Sequence, residues 1–351
     1  TGVKGDDKIR TTKGKTIDPA ETYNNEYAYT FASWLVRAQY SYKGRYMVSA
    51  SIRGDGSSRF APNTRWGYFP AASVGWRVSD ESFLRDVKWI DDLKLRLSVG
   101  VTGNAQIGNS EYLQLYGSTN IDLGNGLRPQ VYPSQIANPD LGWERNTQYD
   151  VGLDLSFWKG TLGLTADYYY SKTTDMLLNY PMATSTGFSG YNANVGDMRN
   201  SGFELEIKGT PIKTNNFTWN ITWMGSTVKN KVLKLTGETP EIIDGIYSIK
   251  EGLPINTFYM AKAAGVDPAT GAQLYWVYDT DDEGNMINER VSSDYEKAAK
   301  SKYYLGSRIP DLYGSIGTDL SWRGVDLSIL ATYSIGGKVY DGLYSASMNN
   351  M

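Results

Sequence analysis

Residues 33–60 read S-W-L-V-R-A-Q-Y-S-Y-K-G-R-Y-M-V-S-A-S-I-R-G-D-G-S-S-R-F. With period two, Trp34, Val36, Ala38, Tyr40 and Tyr42 share one face, and Ser33, Arg37, Gln39 and Ser41 the other, with Leu35 as an apolar exception. Lys43-Gly44 turns the chain. Tyr46, Val48, Ala50 and Ile52 then continue the apolar face, opposite Ser49, Ser51, Arg53 and Asp55. Strict alternation is the signature of a strand with one apolar and one polar face, and two such strands about a glycine turn form a hairpin. Each strand has the roughly 9–11 residues that a tilted strand needs to cross a bilayer. Tyr40, Tyr42 and Tyr46 gather at the turn, where a membrane barrel carries its aromatic girdle. A β-sandwich predicts the same single hairpin, so recurrence decides.

The pattern recurs. Residues 66–78, 93–104, 143–157, 161–173, 203–208, 217–223, 316–322 and 325–335 alternate in the same way, which predicts about ten antiparallel strands in five hairpins. Short connectors at 43–44, 79–92, 158–160, 210–216 and 323–324 alternate with longer ones at 56–65, 105–142, 174–196 and 230–311. Ser79-Asp80-Glu81-Ser82 predicts a turn or two of helix, and residues 1–26 a loop. Loops sorted by length onto two ends are the layout of an outer-membrane barrel, short turns periplasmic and long loops extracellular. A sandwich has no reason to sort them.

Composition narrows the chemistry. The chain has neither cysteine nor histidine, which removes disulfides, thiolate metal sites and imidazole-based acid–base catalysis. A net charge of −3 gives no electrostatic footprint for nucleic acid. No apolar run reaches the length of a membrane helix, but half-apolar barrel strands escape that test.

Several motifs resemble the SusC/RagA family of TonB-dependent outer-membrane transporters, in the later part of their barrel. They are Arg53-Gly54-Asp55-Gly56-Ser57-Ser58-Arg59-Phe60, Gly75-Trp76-Arg77-Val78-Ser79, Val101-Thr102-Gly103-Asn104, the run from Asn138 to Glu144, the run from Asn194 to Leu205, and the run from Ala264 to Gly271. The resemblance implies an all-β fold: an antiparallel transmembrane barrel segment, about ten strands of a barrel of about 22. It implies import of oligosaccharides or oligopeptides, a SusD-like surface lipoprotein as lid, a plug, and energy from the TonB complex. Residues 1–351 are then expected to be part of the barrel domain, without the plug, the TonB box or the final strands. By parity both ends of the sheet are expected outside the cell, with at least one strand missing on each side. No enzymatic activity, cofactor or metal is expected. The rival reading is a carbohydrate-binding β-sandwich adhesin or lectin module.

The polar faces divide by charge. Arg37, Arg45, Arg53, Arg77, Lys94 and Arg96 lie early, and Asp150, Asp154, Asp167, Glu204 and Glu206 late. Hairpin register places Asp150 roughly opposite Asp167, and Arg96 roughly opposite Asp154. Arg37, Arg53, Asp55 and Arg96, with the five carboxylates, are lumen- or plug-contact candidates. Paired carboxylates alone do not make a glycosidase, because a general acid needs a desolvated setting. On the long loops, Tyr112, Tyr116, Tyr132, Phe188, Tyr191, Tyr275 and Trp276 are candidates for substrate or lid contact, against a plain reading as loop packing. The run from Asp279 to Gly284 resembles the start of a calcium loop, but the twelfth position is Arg290 where a glutamate is required, so an acidic turn is expected.

Overall fold

The computed structural model describes residues 3–5, 8–10, 28–122, 124, 126–235 and 240–347. Ten strands form one antiparallel sheet: β1 (Phe31–Tyr42), β2 (Tyr46–Ser57), β3 (Trp66–Arg77), β4 (Ile90–Asn104), β5 (Glu144–Phe157), β6 (Leu162–Thr174), β7 (Asp197–Lys213), β8 (Phe217–Thr227), β9 (Leu312–Trp322) and β10 (Val325–Ile335). Each strand pairs with its chain neighbours, so spatial order is chain order, and a short segment, Lys229–Lys234, pairs beside β7. β1 and β10 do not pair with each other, and the sheet stays open.

Both faces follow the sequence alternation. Val36 pairs with Ile52, Val48 with Val74, Ala72 with Val99 and Leu97 with Val151, in continuous apolar rows. Val36, Val48, Leu97, Val151, Ile316 and Leu327 are nonetheless exposed. An apolar face this broad has no counterpart on a soluble monomer and fits a lipid solvent. Among the described residues no second sheet buries it, so it is not the core of a sandwich. The buried cores lie elsewhere, in two small clusters among the long connectors: Phe60, Phe69, Leu141 and Trp143, and Val195, Val232, Leu235, Ile242 and Ile249.

Three turns are tight. Lys43 and Gly44 both take positive φ, and the Arg45 amide donates to the Tyr42 carbonyl at 3.0 Å. This is the mirror-image turn whose twist suits a hairpin. Lys159-Gly160 and Arg323-Gly324 repeat the positive φ pair. A non-glycine residue in that region costs about 1–2 kcal/mol.

Several expectations are corrected. Tyr27, the expected start of the first strand, and most of residues 1–26 lie outside the described residues; Val3–Gly5 and Lys8–Arg10, within the expected loop, pair as a hairpin. The helix expected at Ser79 is a 3₁₀ turn at Val78–Asp80. β7 is longer than the expected 203–208 strand. It begins at Asp197, where its polar rim pairs with Lys229–Lys234, and runs through Pro211 to Lys213. The register shift between Gly209 and Ile212 explains why Pro211 is tolerated: a bulge releases it from the ladder, and the true turn is 214–216. The long connectors also carry sheets of their own: Leu115–Asp122 with Leu127–Gln135, Leu177–Pro181 with Gly190–Asn194, and a six-stranded unit between Glu241 and Ser307.

Candidate functional site

The face opposite the apolar rows collects the polar residues. Each inward position is set by the pleat, so residues two apart on one strand line one row. A groove of about 570 Å³ is lined by Arg37, Gln39, Ser49, Ser73, Lys94, Arg96, Ser98 and Asp150. Arg37, Arg53, Lys94 and Arg96 belong to β1–β4 and Asp150, Asp154, Asp167, Glu204 and Glu206 to β5–β7, so the charge division seen in sequence becomes one across the sheet, with Asp55 on β2 and Lys208 on β7 as exceptions.

Arg96 stands at the boundary. Its Nε donates to Asp154 Oδ2 at 2.8 Å, and its Nη2 donates to Asp154 Oδ1 and Asp167 Oδ2, both at 3.0 Å. The register differs from the expected one. Arg96 pairs with Gly152, not Asp154, and Asp167 faces Gly152 from the other side. A Cβ at residue 152 would overlap both the guanidinium and the Asp167 carboxylate. Glycine here is the gap through which Arg96 reaches across β5 to β6. Asp150 pairs with Ser98 and Tyr169, not with Asp167, and accepts from Ser98 Oγ at 3.1 Å and Gln148 Nε2 at 2.9 Å. The like-charge contact is instead Asp167 opposite Glu204, and Arg96 supplies the compensating cation. Glu206 pairs with Lys208. Arg37 is exposed and has no ion-pair partner among the described residues. Arg45 is not on this face: it sits in the first turn, bonded to Glu81 at 2.9 Å.

Near the long-loop end, Arg53 Nε bonds the buried Asp55 at 2.7 Å. A second groove of about 620 Å³ opens there between Arg53, Arg59, Phe69, Thr102 and Trp143. Here four of the six family-like motifs converge, while the motif at 75–79 lies at the tight-turn end and that at 264–271 in the six-stranded unit. Arg59 donates to the Ala105 carbonyl and to Asn109, and lies 4.3 Å over the Tyr29 ring. Asn138 donates to the Asn192 carbonyl, Asn194 bonds both the amide and the carbonyl of Gly142, and Trp143 Nε1 donates to the Arg65 carbonyl. Glu144 accepts from Asn104 and from the Leu177 amide. These motifs therefore clasp the roots of three long connectors to the strand ends. Sequence reading used them as a signature and missed this role; their Asn-Gly-Trp content, suited to close backbone contact, was the available signal.

The seven loop aromatics do not form one site. Tyr116 and Tyr132 lie on the Leu115–Asp122/Leu127–Gln135 hairpin, Tyr116 exposed and Tyr132 lying over Gly117, while Tyr112 is in the turn before it. Tyr191 meets Tyr180 edge-on at 6.0 Å beside half-buried Phe188. Tyr275 packs on Tyr295, and Trp276 lies 5.2 Å from Lys262 Nζ. Tyr191, Tyr275 and Trp276 are engaged within their own connectors, whereas Tyr116 stands exposed. In the six-stranded unit, burial pushes Tyr259 up to about 12, and burial together with the Glu289 carboxylate pushes Tyr303 up to about 12. Arg290 binds Asp279 at 2.8 Å and holds its carboxyl below the usual range, while Asp281 is spent on the amides of Glu283 and Asn285. This is an acidic turn closed on itself.

Comparison with known proteins follows the same lines. A family profile described as TonB dependent receptor-like, beta-barrel, matches residues 5–350. The chain is 33% identical to the TonB-dependent receptor P39 of Formosa agariphila, over 92% of this chain and 35% of that protein. It is 31% identical to the TonB-dependent receptor SusC of Bacteroides thetaiotaomicron, over 91% of this chain and 32% of that one. The structure of the RagAB peptide importer in its closed-closed state superposes with a TM-score of 0.76 at 29% identity, covering 88% of this chain and 34% of the other. The chain thus spans about a third of the length of the curated relatives it matches. A profile matched along nearly the whole length, over an open sheet with one lipid face and one polar face, has one reading: the chain belongs to the TonB-dependent receptor β-barrel family of the outer membrane.

Proposed function

We propose that the chain forms a stretch of wall in an active importer of oligosaccharides or oligopeptides, covered by a SusD-like lipoprotein and driven by the TonB complex. The observation that carries this reading is the charged polar face, where an exposed Arg37 and Arg96, the latter bound to Asp154 and Asp167, line a groove. Such a surface offers a plug, or passing cargo, hydrogen bonds of both signs without a catalytic group. The likeness to the RagAB peptide importer supports the peptide class, and the resemblance of the motifs to the SusC/RagA family is the ground for keeping oligosaccharides beside it. On this reading Arg37, Arg53, Asp55, Arg96, Asp150, Asp154, Asp167, Glu204 and Glu206 face the plug. Tyr112, Tyr116, Tyr132, Phe188, Tyr191, Tyr275 and Trp276 hold the lid or the cargo. The open edges at β1 and β10 are completed by further strands of the same barrel, since bare backbone is not tolerated in a bilayer.

The test is uptake by cells carrying or lacking the intact receptor, supplied in turn with fluorescent oligosaccharides and oligopeptides. Loss of uptake of one class on deletion, restored by the wild-type gene, is the expected result. Unchanged uptake of both classes refutes the proposal.

A further inference from the structure

The tight-turn end of the sheet carries a repeated unit that transport does not use. Tyr42-Lys43-Gly44, Trp158-Lys159-Gly160 and Trp322-Arg323-Gly324 each place an aromatic residue, a cation and a glycine in succession. In each, the cation holds a left-handed backbone, with φ of 53° at Lys43, 59° at Lys159 and 48° at Arg323. Asparagine, aspartate and glycine are the residues at home there, and a long cation gains nothing from the conformation. The same strained choice at three separate turns points to the charge as the reason. None of the three has a carboxylate partner among the described residues, unlike Arg45 and Arg77 at the same end of the sheet. Nearby carboxylates are occupied: Glu81 holds Arg45, Asp92 holds Arg77, and Asp91 accepts the Gly160 amide, leaving Asp80 and Asp86 on the connector. All three aromatic neighbours are exposed: Tyr42 and Trp322 end their strands in phase with the apolar rows, and Trp158, itself at φ 54°, follows the strand end with its ring 5.7 Å from that of Phe157. Lys43 Nζ lies 5.2 Å from the Tyr42 ring and the Arg323 guanidinium 5.8 Å from the Trp322 ring.

We infer that these turns are binding points for anionic phospholipid headgroups, the ring seated at the interface and the cation meeting the phosphate. The complement is a lipid phosphate because an amphipathic ring beside an unpaired cation at the rim of an apolar face matches one ligand in both parts: an acyl boundary and an anion at headgroup level.

The test uses the intact receptor in mixed micelles of phosphatidylglycerol and phosphatidylcholine, with retained lipid counted by native mass spectrometry. The wild type is expected to retain phosphatidylglycerol preferentially. In Lys43→Asn/Lys159→Asn/Arg323→Asn that preference falls by about fivefold or more, the scale of one cation near an anionic surface. Asparagine suits the turn, so thermal stability stays equal or rises. A Lys43→Arg/Lys159→Arg variant keeps the preference, as does Lys300→Asn on the helix Tyr295–Lys300. A wild type without preference, a triple asparagine variant that retains it, or an equal loss in Lys300→Asn overturns the proposal.

Discussion

Gly152 and Arg96 are one device. The guanidinium reaches two carboxylates on two strands only because no side chain stands between them. Gly152→Ala forces the cluster apart and is expected to cost about 1–3 kcal/mol, the usual range for overpacking. The same change made with Arg96→Ala costs less than the two separate losses combined, because one of the two groups it collides with is gone and the Asp167 carboxylate is freed to turn away. Urea unfolding of the receptor in detergent gives all three values, and strict additivity contradicts the coupling. Glu204 adds a reason for the cluster, since it faces Asp167 directly and leaves Arg96 alone to balance that row.

At the scale of strands, alternation makes a direct prediction. The chain has no cysteine, so each introduced thiol is the only one in this segment. Thiols at Val48, Val99 and Leu327 should react with membrane-dissolved reagents, and thiols at Ser49, Ser98 and Ser328 with water-soluble ones. Equal labelling of both sets by soluble reagents would sink the lipid-face assignment. The ten strands were legible in sequence because lipid on one side and water on the other impose period two over long runs. What escaped were features set by something other than that contrast. Residues 197–202 are polar on both faces because they rise to the rim, so no alternation marked them. The pairing of Arg96 with Gly152 depends on turn geometry, which sequence fixes to within a residue or two, and that is enough to change partners. The loop sheets are small and share no single pattern of exposure: the hairpin Leu115–Asp122/Leu127–Gln135 is exposed almost throughout, while Phe258 and Val277 of the six-stranded unit are buried. The six-stranded unit among them has its own alkaline limit. Tyr259 and Tyr303, raised to about 12 by burial, stay protonated when folded and ionise near 10 when unfolded. Their contribution is complete below pH 10 and disappears as pH rises toward 12. Tyrosinate absorbance followed against pH should therefore show a late, cooperative rise that Tyr259→Phe moves upward; simple titration near pH 10 for every tyrosine would contradict it.

For the molecule as a whole, loop length sets the orientation. An epitope at Asn288, in the hairpin of Gln273–Thr280 and Met286–Ser292, should be reached by antibody on intact cells, and one at Lys159 only after the outer membrane is opened. The reverse result would invert the receptor and the proposal that its long connectors meet a lid. The order of the strands carries a different consequence, for assembly. Every strand in the sheet lies beside the one that precedes it along the chain, so no strand has to wait for a partner not yet delivered. Such a sheet can lengthen at its growing edge one hairpin at a time. The excursion between β8 and β9 barely disturbs that sequence, because closing a loop costs only about 0.6 kcal/mol more for each doubling of its length. A whole six-stranded unit can hang from the wall there while the next hairpin forms on schedule, which makes this junction the place where extra domains are gained or lost with least effect on how the wall is built.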